Sequence, residues 1–204
     1  MEARNPAPER QTLGSWQGVS IDIAAWDGVA ADVDLSIACM FVRELDDGLR
    51  GGLLHLDNAL SGRLVRLRDE GVFTGDRGET LLVSLPPPTV VARAVMMIGM
   101  GEPSQWTPAV TAHAVTVALG AAVHLGATRA AFAPSLLDSG LAPSATVGVA
   151  PAMMKAVMRA IDVHMSIAAH GLAAPPSLRR WVFDVGAAGF SSAAAQFSAA
   201  LGDR

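Results

Sequence analysis

Apolar positions along the chain switch between an alternating or continuous pattern and a helical one, and the switches divide it into elements. VSIDIAAW (19–26) and DVDLSIACMFV (32–42) alternate or run apolar around the short turn DGVAAD, which predicts two strands joined by that turn. In the stretch that follows, Leu53, Leu56, Leu60, Leu64 and Leu67 recur at steps of three and four, one stripe of a helix that Gly71 is placed to end. ETLLVSL (79–85) reads as a strand stopped by Pro86, Pro87 and Pro88. ARAVMMIG (92–99) does not alternate, so this strand is expected to be covered on both faces. A helix from about Thr107 to Leu125 leads to a short buried strand, RAAFAP (129–134).

A long helix is expected from Thr146 to His170, on which Lys155, Arg159, Asp162 and Ser166 form one narrow polar stripe among Ala, Val, Ile and Met. SLRRWVFDV (177–185) predicts a last strand, and SSAAAQFSAAL (191–201) a last helix capped by Ser191 or Ser192. The order β-β-α-β-β-α-β-α-β-α predicts an α/β fold of three layers, α/β/α, with a central sheet of about six strands. The early β-β pairing makes that sheet mixed. Residues 1–18 are charged and proline-containing and are expected to form a flexible tail, leaving residues 19–204 as a single domain.

Composition narrows the function classes. Apolar residues make up 51% of the chain and charged ones 17%, against about 25% charged in ordinary soluble domains. Either alanine covers much of the surface or a partner does. The net charge is −4 and no stretch concentrates Lys and Arg, so nucleic acid is not an expected partner. Residues 103–128 carry no formal charge, but alanine supplies most of their apolarity; a buried helix is expected, not a membrane span. No signal-peptide pattern opens the chain, and the single cysteine, Cys39, sits in an apolar strand pattern. These features fit a cytoplasmic protein with Cys39 in its core.

Three segments in order carry a resemblance. In LDNALSGRLVRLRDEGVFTGDRGETLLVSLP (56–86), the residues Leu56, Asp57, Ala59, Leu60, Gly71, Phe73, Gly75, Gly78 and Glu79 match a Leu-Asp-x-Ala-Leu helix followed by Gly-x-Phe-x-Gly-x-x-Gly-Glu. ARAVMMIGMG (92–101) and AVHLGATRAAFAPSLLD (122–138) follow at the expected places. Over about residues 19–170 the chain resembles the N-terminal domain of the leucyl aminopeptidase family. That resemblance implies a macro-domain-like fold. It also implies that catalysis belongs to a second, larger domain, where a lysine and carboxylates hold two zinc ions, partly within an Asn-Thr-Asp-Ala-Glu-Gly-Arg signature. This signature does not occur here, and the sequence is expected to represent the accessory domain standing alone.

Candidate chemistry is sparse. The five histidines, His55, His113, His124, His164 and His170, offer no helical pair and no His-Glu-x-x-His, so no metal site is expected. Ser135, with Asp138 and His124 near it in sequence, lacks the Gly-x-Ser-x-Gly elbow of a nucleophile. Phosphate chemistry has more support. Gly51 and Gly52 open a helix, and Gly99 and Gly101 close a strand, places where free N–H groups suit an anion. With Ser135 these four glycines form the candidate ligand-binding set. Two observations weaken it: the asparagine-rich segment and the later glycine-rich loop that the macro-domain resemblance calls for are replaced by MFVREL and APSLLDSG, and Gly99-Met100-Gly101 lacks the third glycine of a dinucleotide fingerprint.

The sequence therefore predicts a non-catalytic structural, oligomerisation or protein-interaction module. No catalytic residue, cofactor or metal is assigned. The partner is expected to be a second copy or another protein chain, such as a catalytic aminopeptidase subunit. The alternatives are a domain that binds a small ligand or an ADP-ribose-like nucleotide, and the accessory half of a split metallo-aminopeptidase.

Overall fold

Strands that run apolar without alternation need cover on both faces, and the fold supplies it. The computed structural model describes residues 10–26, 28–44, 48–187 and 189–202. Its strands are β1 (Arg10–Trp16), β2 (Val19–Ala24), β3 (Leu35–Met40), β4 (Thr80–Val83), β5 (Ala94–Gly99), β6 (Arg129–Ala133) and β7 (Arg180–Asp184). They form one seven-stranded sheet in the order β1-β2-β7-β6-β3-β5-β4. The five inner strands are parallel, and the edge strands β1 and β4 run antiparallel to their neighbours.

Helices α1 (Gly51–Ala59) and α2 (Arg63–Asp69) cover one face. There Leu53, Leu56, Leu60 and Leu64 pack with Met40, Val95, Met97 and Val182. Helices α3 (Pro108–His124), α4 (Val149–Ala169) and α5 (Phe190–Gly202) cover the other, where Ile37, Phe132, Trp181 and Phe183 meet Val115, Leu119, Met154, Val157 and Phe197. This is the three-layer α/β/α arrangement. Cys39 is buried in the second of these cores, and burial pushes its thiol pKa far up, as the apolar strand pattern leads one to expect.

Four sequence expectations change. Residues 10–16 are not part of a flexible tail: they form β1, the seventh strand, while residues 1–9 lie outside the described residues. The hairpin turn joining β1 to β2 is Gln17-Gly18, with φ of 47° and 81°, the two positive values a type I′ turn requires. Gln-Gly is a weaker signal for that turn than Asn-Gly, and β1 is mostly exposed and shifts register between Thr12 and Gly14, so its pattern is faint. Second, β2 and β3 do not pair; β7 and β6 lie between them, and the sheet is mixed because of its edges.

Third, the leucine stripe belongs to two helices. The chain breaks at Ser61 and Gly62, with φ of 60° and 73°, and the buried Asp57 then caps α2 through the N–H groups of Leu64 (2.9 Å) and Val65 (3.3 Å). Fourth, α5 begins at Phe190, so Ser191 and Ser192 lie inside its first turn and not at its cap. The narrowness of the polar stripe on α4 has a local explanation as well: α4 packs against both α3 and α5. Among the described residues, no helix is long and apolar enough to cross a membrane.

Candidate functional site

In open α/β sheets, ligands bind outside the carboxyl ends of the strands, where neighbouring strands send their connections to opposite faces. Here that place is β3. Its exit leads to α1 on one face, while the exits of its neighbours β5 and β6 lead to α3 and α4 on the other. All five candidate residues lie on these three exits: Gly51 and Gly52 after β3, Gly99 and Gly101 at the end of β5, Ser135 after β6.

The amino end of α1 has no side-chain cap of its own and no acidic residue in its first turn. A carboxylate from the β6 exit fills it instead. Asp138 Oδ2 accepts the Gly52 N–H at 3.0 Å, and the Leu53 N–H also points to this carboxylate. A Cβ on Gly51 would overlap the same carboxylate, so only glycine admits it there. Burial raises the Asp138 pKa above its ordinary value; the two N–H groups and the nearby His55 offset this only in part.

Gly99 and Gly101 face a different neighbour. Both lie against the loop of residues 75–78. The Gly78 N–H donates to the Gly99 carbonyl (2.9 Å), the Gly99 N–H to the Glu79 carbonyl (2.8 Å), and the Gly101 N–H to the Gly75 carbonyl (2.9 Å). A Cβ on Gly99 would overlap the Asp76 carbonyl oxygen, and one on Gly75 would press on the Phe41 carbonyl. The loop carries its own anion: Glu79 Oε2 accepts the Thr74 hydroxyl (2.8 Å) and the N–H groups of Thr74 (2.9 Å), Gly75 (2.8 Å) and Asp76 (3.2 Å). Burial opposes ionisation of Glu79, but these bonds outweigh it and hold its pKa below the usual carboxylate range. The glycines and glutamate of Gly-x-Phe-x-Gly-x-x-Gly-Glu thus shape a loop that locks onto the end of β5.

The structure therefore brings Gly51 and Gly52 against the loop that carries Ser135, and turns Gly99 and Gly101 onto the 75–78 loop. Ser135, Asp138 and His124 form no relay. Ser135, at a φ of 52°, aims its hydroxyl at the Ala133 carbonyl (3.4 Å), Asp138 caps α1, and His124 Nδ1 donates to the Gly120 carbonyl (2.7 Å) beside the His164 ring. Among the described residues, no three His, Cys, Asp or Glu side chains converge as metal ligands. The capping role of Asp138 escapes sequence reasoning because it joins residues 86 positions apart. An acidic residue in a loop otherwise rich in Ser, Pro and Gly is the one signal pointing to it.

A second concave region lies away from this cleft. It is a groove of about 660 Å³ between α4, α5 and β1, lined by Trp16, Lys155, Met158, Arg159, Asp162 and Gln196, with small residues completing it. Three members of the predicted polar stripe stand in it. Trp16, from the segment expected to be flexible, forms a wall: its indole N–H donates to Asp162 Oδ1 at 2.8 Å.

The model of the cytosol aminopeptidase family, N-terminal domain, matches residues 43–172. No curated protein matches the sequence. Among solved structures, a tomato leucine aminopeptidase mutant, K354E, aligns over 98% of this chain and 37% of its own, at 18% identity and a TM-score of 0.61. A Trypanosoma brucei macrodomain in complex with ADP-ribose aligns over 94% and 74%, at 15% identity and a TM-score of 0.66. An Oceanobacillus iheyensis macrodomain with ADP aligns over 96% and 95%, at 10% identity and a TM-score of 0.60. The chain spans little more than a third of the tomato enzyme's length, and at these identities the likeness is one of fold.

Proposed function

The chain belongs to the cytosol aminopeptidase family as an N-terminal domain of macrodomain-like fold, and from that premise we propose that it is a non-catalytic module that associates with another protein chain, either a second copy or a chain bearing a catalytic aminopeptidase domain. One observation carries this reading. The cleft where a ligand is expected is occupied by the protein's own groups, with the Asp138 carboxylate on the amino end of α1. A free phosphate needs those N–H groups, and a fixed negative charge beside them repels it.

Apolar surface supports association. Val163 and Ile167 stand exposed one turn apart on α4, and Leu172 beyond it is 80% exposed. Leu125, at the end of α3, is exposed too. Large apolar side chains grouped near adjoining helix ends favour a protein contact.

Light scattering at micromolar concentration tests the proposal, alone and in mixture with a catalytic leucyl aminopeptidase domain. A mass at least double 21.0 kDa, or a mixed complex, is expected. A clean monomer that forms no complex overturns it. The competing reading, an ADP-ribose-like ligand, draws on the likeness to macrodomains that hold ADP or ADP-ribose. A melting temperature that rises with ADP-ribose or ADP would favour that reading, because a ligand bound by the native state stabilises it.

A further inference from the structure

The groove between α4, α5 and β1 combines three features that neither the fold nor the association proposed above requires. First, Lys155 and Arg159 lie one turn apart on α4, both exposed, and neither pairs with a carboxylate among the described residues. Second, Asp162 stands one turn further on. Its Oδ1 accepts Trp16 Nε1 (2.8 Å) and Gln17 Nε2 (3.3 Å), and its Oδ2 accepts nothing among the described residues. Third, much of the wall around these charges is apolar: the Trp16 ring, Met158, Ala199 and Ala200, with Gln196 beside them.

We propose that this groove binds a short peptide with free termini and an apolar side chain. Its terminal carboxylate lies on Lys155 and Arg159, its ammonium on Asp162 Oδ2, and its side chain against Trp16 and Met158. The order of charges sets the ligand class. Two cations alone would suit any anion, but the carboxylate beyond them disfavours phosphates and acidic segments and calls for a zwitterion.

The spacing sets its length. Seven residues of helix separate Lys155 from Asp162, about 10 Å at 1.5 Å per residue. An extended peptide covers about 3.3–3.6 Å per residue, so a tripeptide reaches from Lys155 to Asp162, and a dipeptide, at about 7 Å, reaches from Asp162 to Arg159, three residues or about 4.5 Å away along the helix. Arg159 supplies a planar, two-pronged donor matched to a carboxylate. The hydrogen bond to Asp162 holds the indole of Trp16 in place, so the apolar wall is formed before any ligand arrives. The groove's volume lies within the range of small-ligand sites, about 300–1,000 Å³.

Isothermal titration calorimetry with Leu-Leu, Leu-Leu amide, N-acetyl-Leu-Leu and Glu-Glu tests the proposal on the full chain. Saturable binding of Leu-Leu is expected, with at least a tenfold loss on amidation and a similar loss on acetylation. In the variant K155A/R159A, Leu-Leu binds at least tenfold more weakly and amidation costs nothing further; in D162N, acetylation costs nothing further. Three results would overturn it: no saturable binding at millimolar Leu-Leu, binding that ignores both terminal modifications, or Glu-Glu binding more tightly than Leu-Leu. The two modified peptides probe the unaltered protein, so the test survives a variant that fails to fold. It is also separate from association, which light scattering reads.

Discussion

The cleft at the carboxyl end of β3 and the groove beside α4 both offer charged groups around a concavity, and they treat those charges in opposite ways. In the cleft, Asp138 is spent on the amino end of α1 and Glu79 on the 74–76 loop. In the groove, Lys155, Arg159 and one oxygen of Asp162 have no partner among the described residues and stand beside an apolar wall. A polar group answered within the chain contributes to stability; one left unanswered is available to something outside it. A macrodomain-like fold therefore does not by itself locate the binding surface.

The contrast breaks most easily at Gly99. Gly99→Ala drives a methyl into the Asp76 carbonyl, backbone that has little room to move, and should cost about 3 kcal/mol in chemical denaturation. A cost under about 1 kcal/mol would mean the 75–78 loop is not locked to β5 as described.

Asp138→Ala comes next. It removes the cap of α1 and should cost about 1 kcal/mol. Because the Asp138 pKa is raised in the folded protein, its contribution is full below the ordinary value of 3.8 and is lost as pH rises through the folded pKa. Asp138→Asn, which accepts the same N–H groups without charge, should therefore cost less than Asp138→Ala at neutral pH. An Asn variant as unstable as the Ala variant would show that the charge, not the hydrogen bond, holds the cleft closed.

Glu79 shifts the other way and gives a smaller effect. Its lowered pKa contributes stability that is present above the ordinary value of 4.5 and lost as pH falls through the folded pKa. Asp34 behaves alike below 3.8: burial works against it, but the Thr128 hydroxyl, the N–H groups of Arg129 and Thr128, and Arg93 prevail. Glu79→Gln should flatten the acid side of a melting-temperature profile, while Asp34 preserves part of the slope. An unchanged profile would remove Glu79 from the account.

The smallest effect sharpens the comparison from the groove side. K155A/R159A should change stability by no more than about 0.5 kcal/mol, since neither cation is answered among the described residues. A loss above about 1 kcal/mol would reveal an internal partner and make the groove resemble the cleft.

Much of the fold was legible because burial imposes a period. The unbroken apolar runs of β3 and β5 reflect cover on both faces, and the leucine stripe of α1 and α2 reflects cover on one. The misreadings fall where that link is weak. β1 sits at an edge, is mostly exposed and shifts register between Thr12 and Gly14, so Arg10–Trp16 gives no clear alternation and reads as a tail. The break at Ser61-Gly62 leaves the leucine spacing intact, so the stripe cannot reveal it. The pairing of β2 with β7 joins segments about 160 residues apart, and no local pattern encodes it.

The candidate glycines illustrate the same division. Glycine marks a backbone that comes close to something, and at Gly51 and Gly99 it does. Whether that something is a ligand or the chain itself is a question of what arrives from elsewhere. The sequence alone determined the α/β class, the family and the polar stripe on α4, because each is written in spacing within a segment. Only the tertiary structure decided that Asp138 meets α1, that the 75–78 loop meets β5, and that Trp16 faces Asp162. Those contacts depend on where distant segments are carried by the sheet, and strand order is set by the packing of the whole chain.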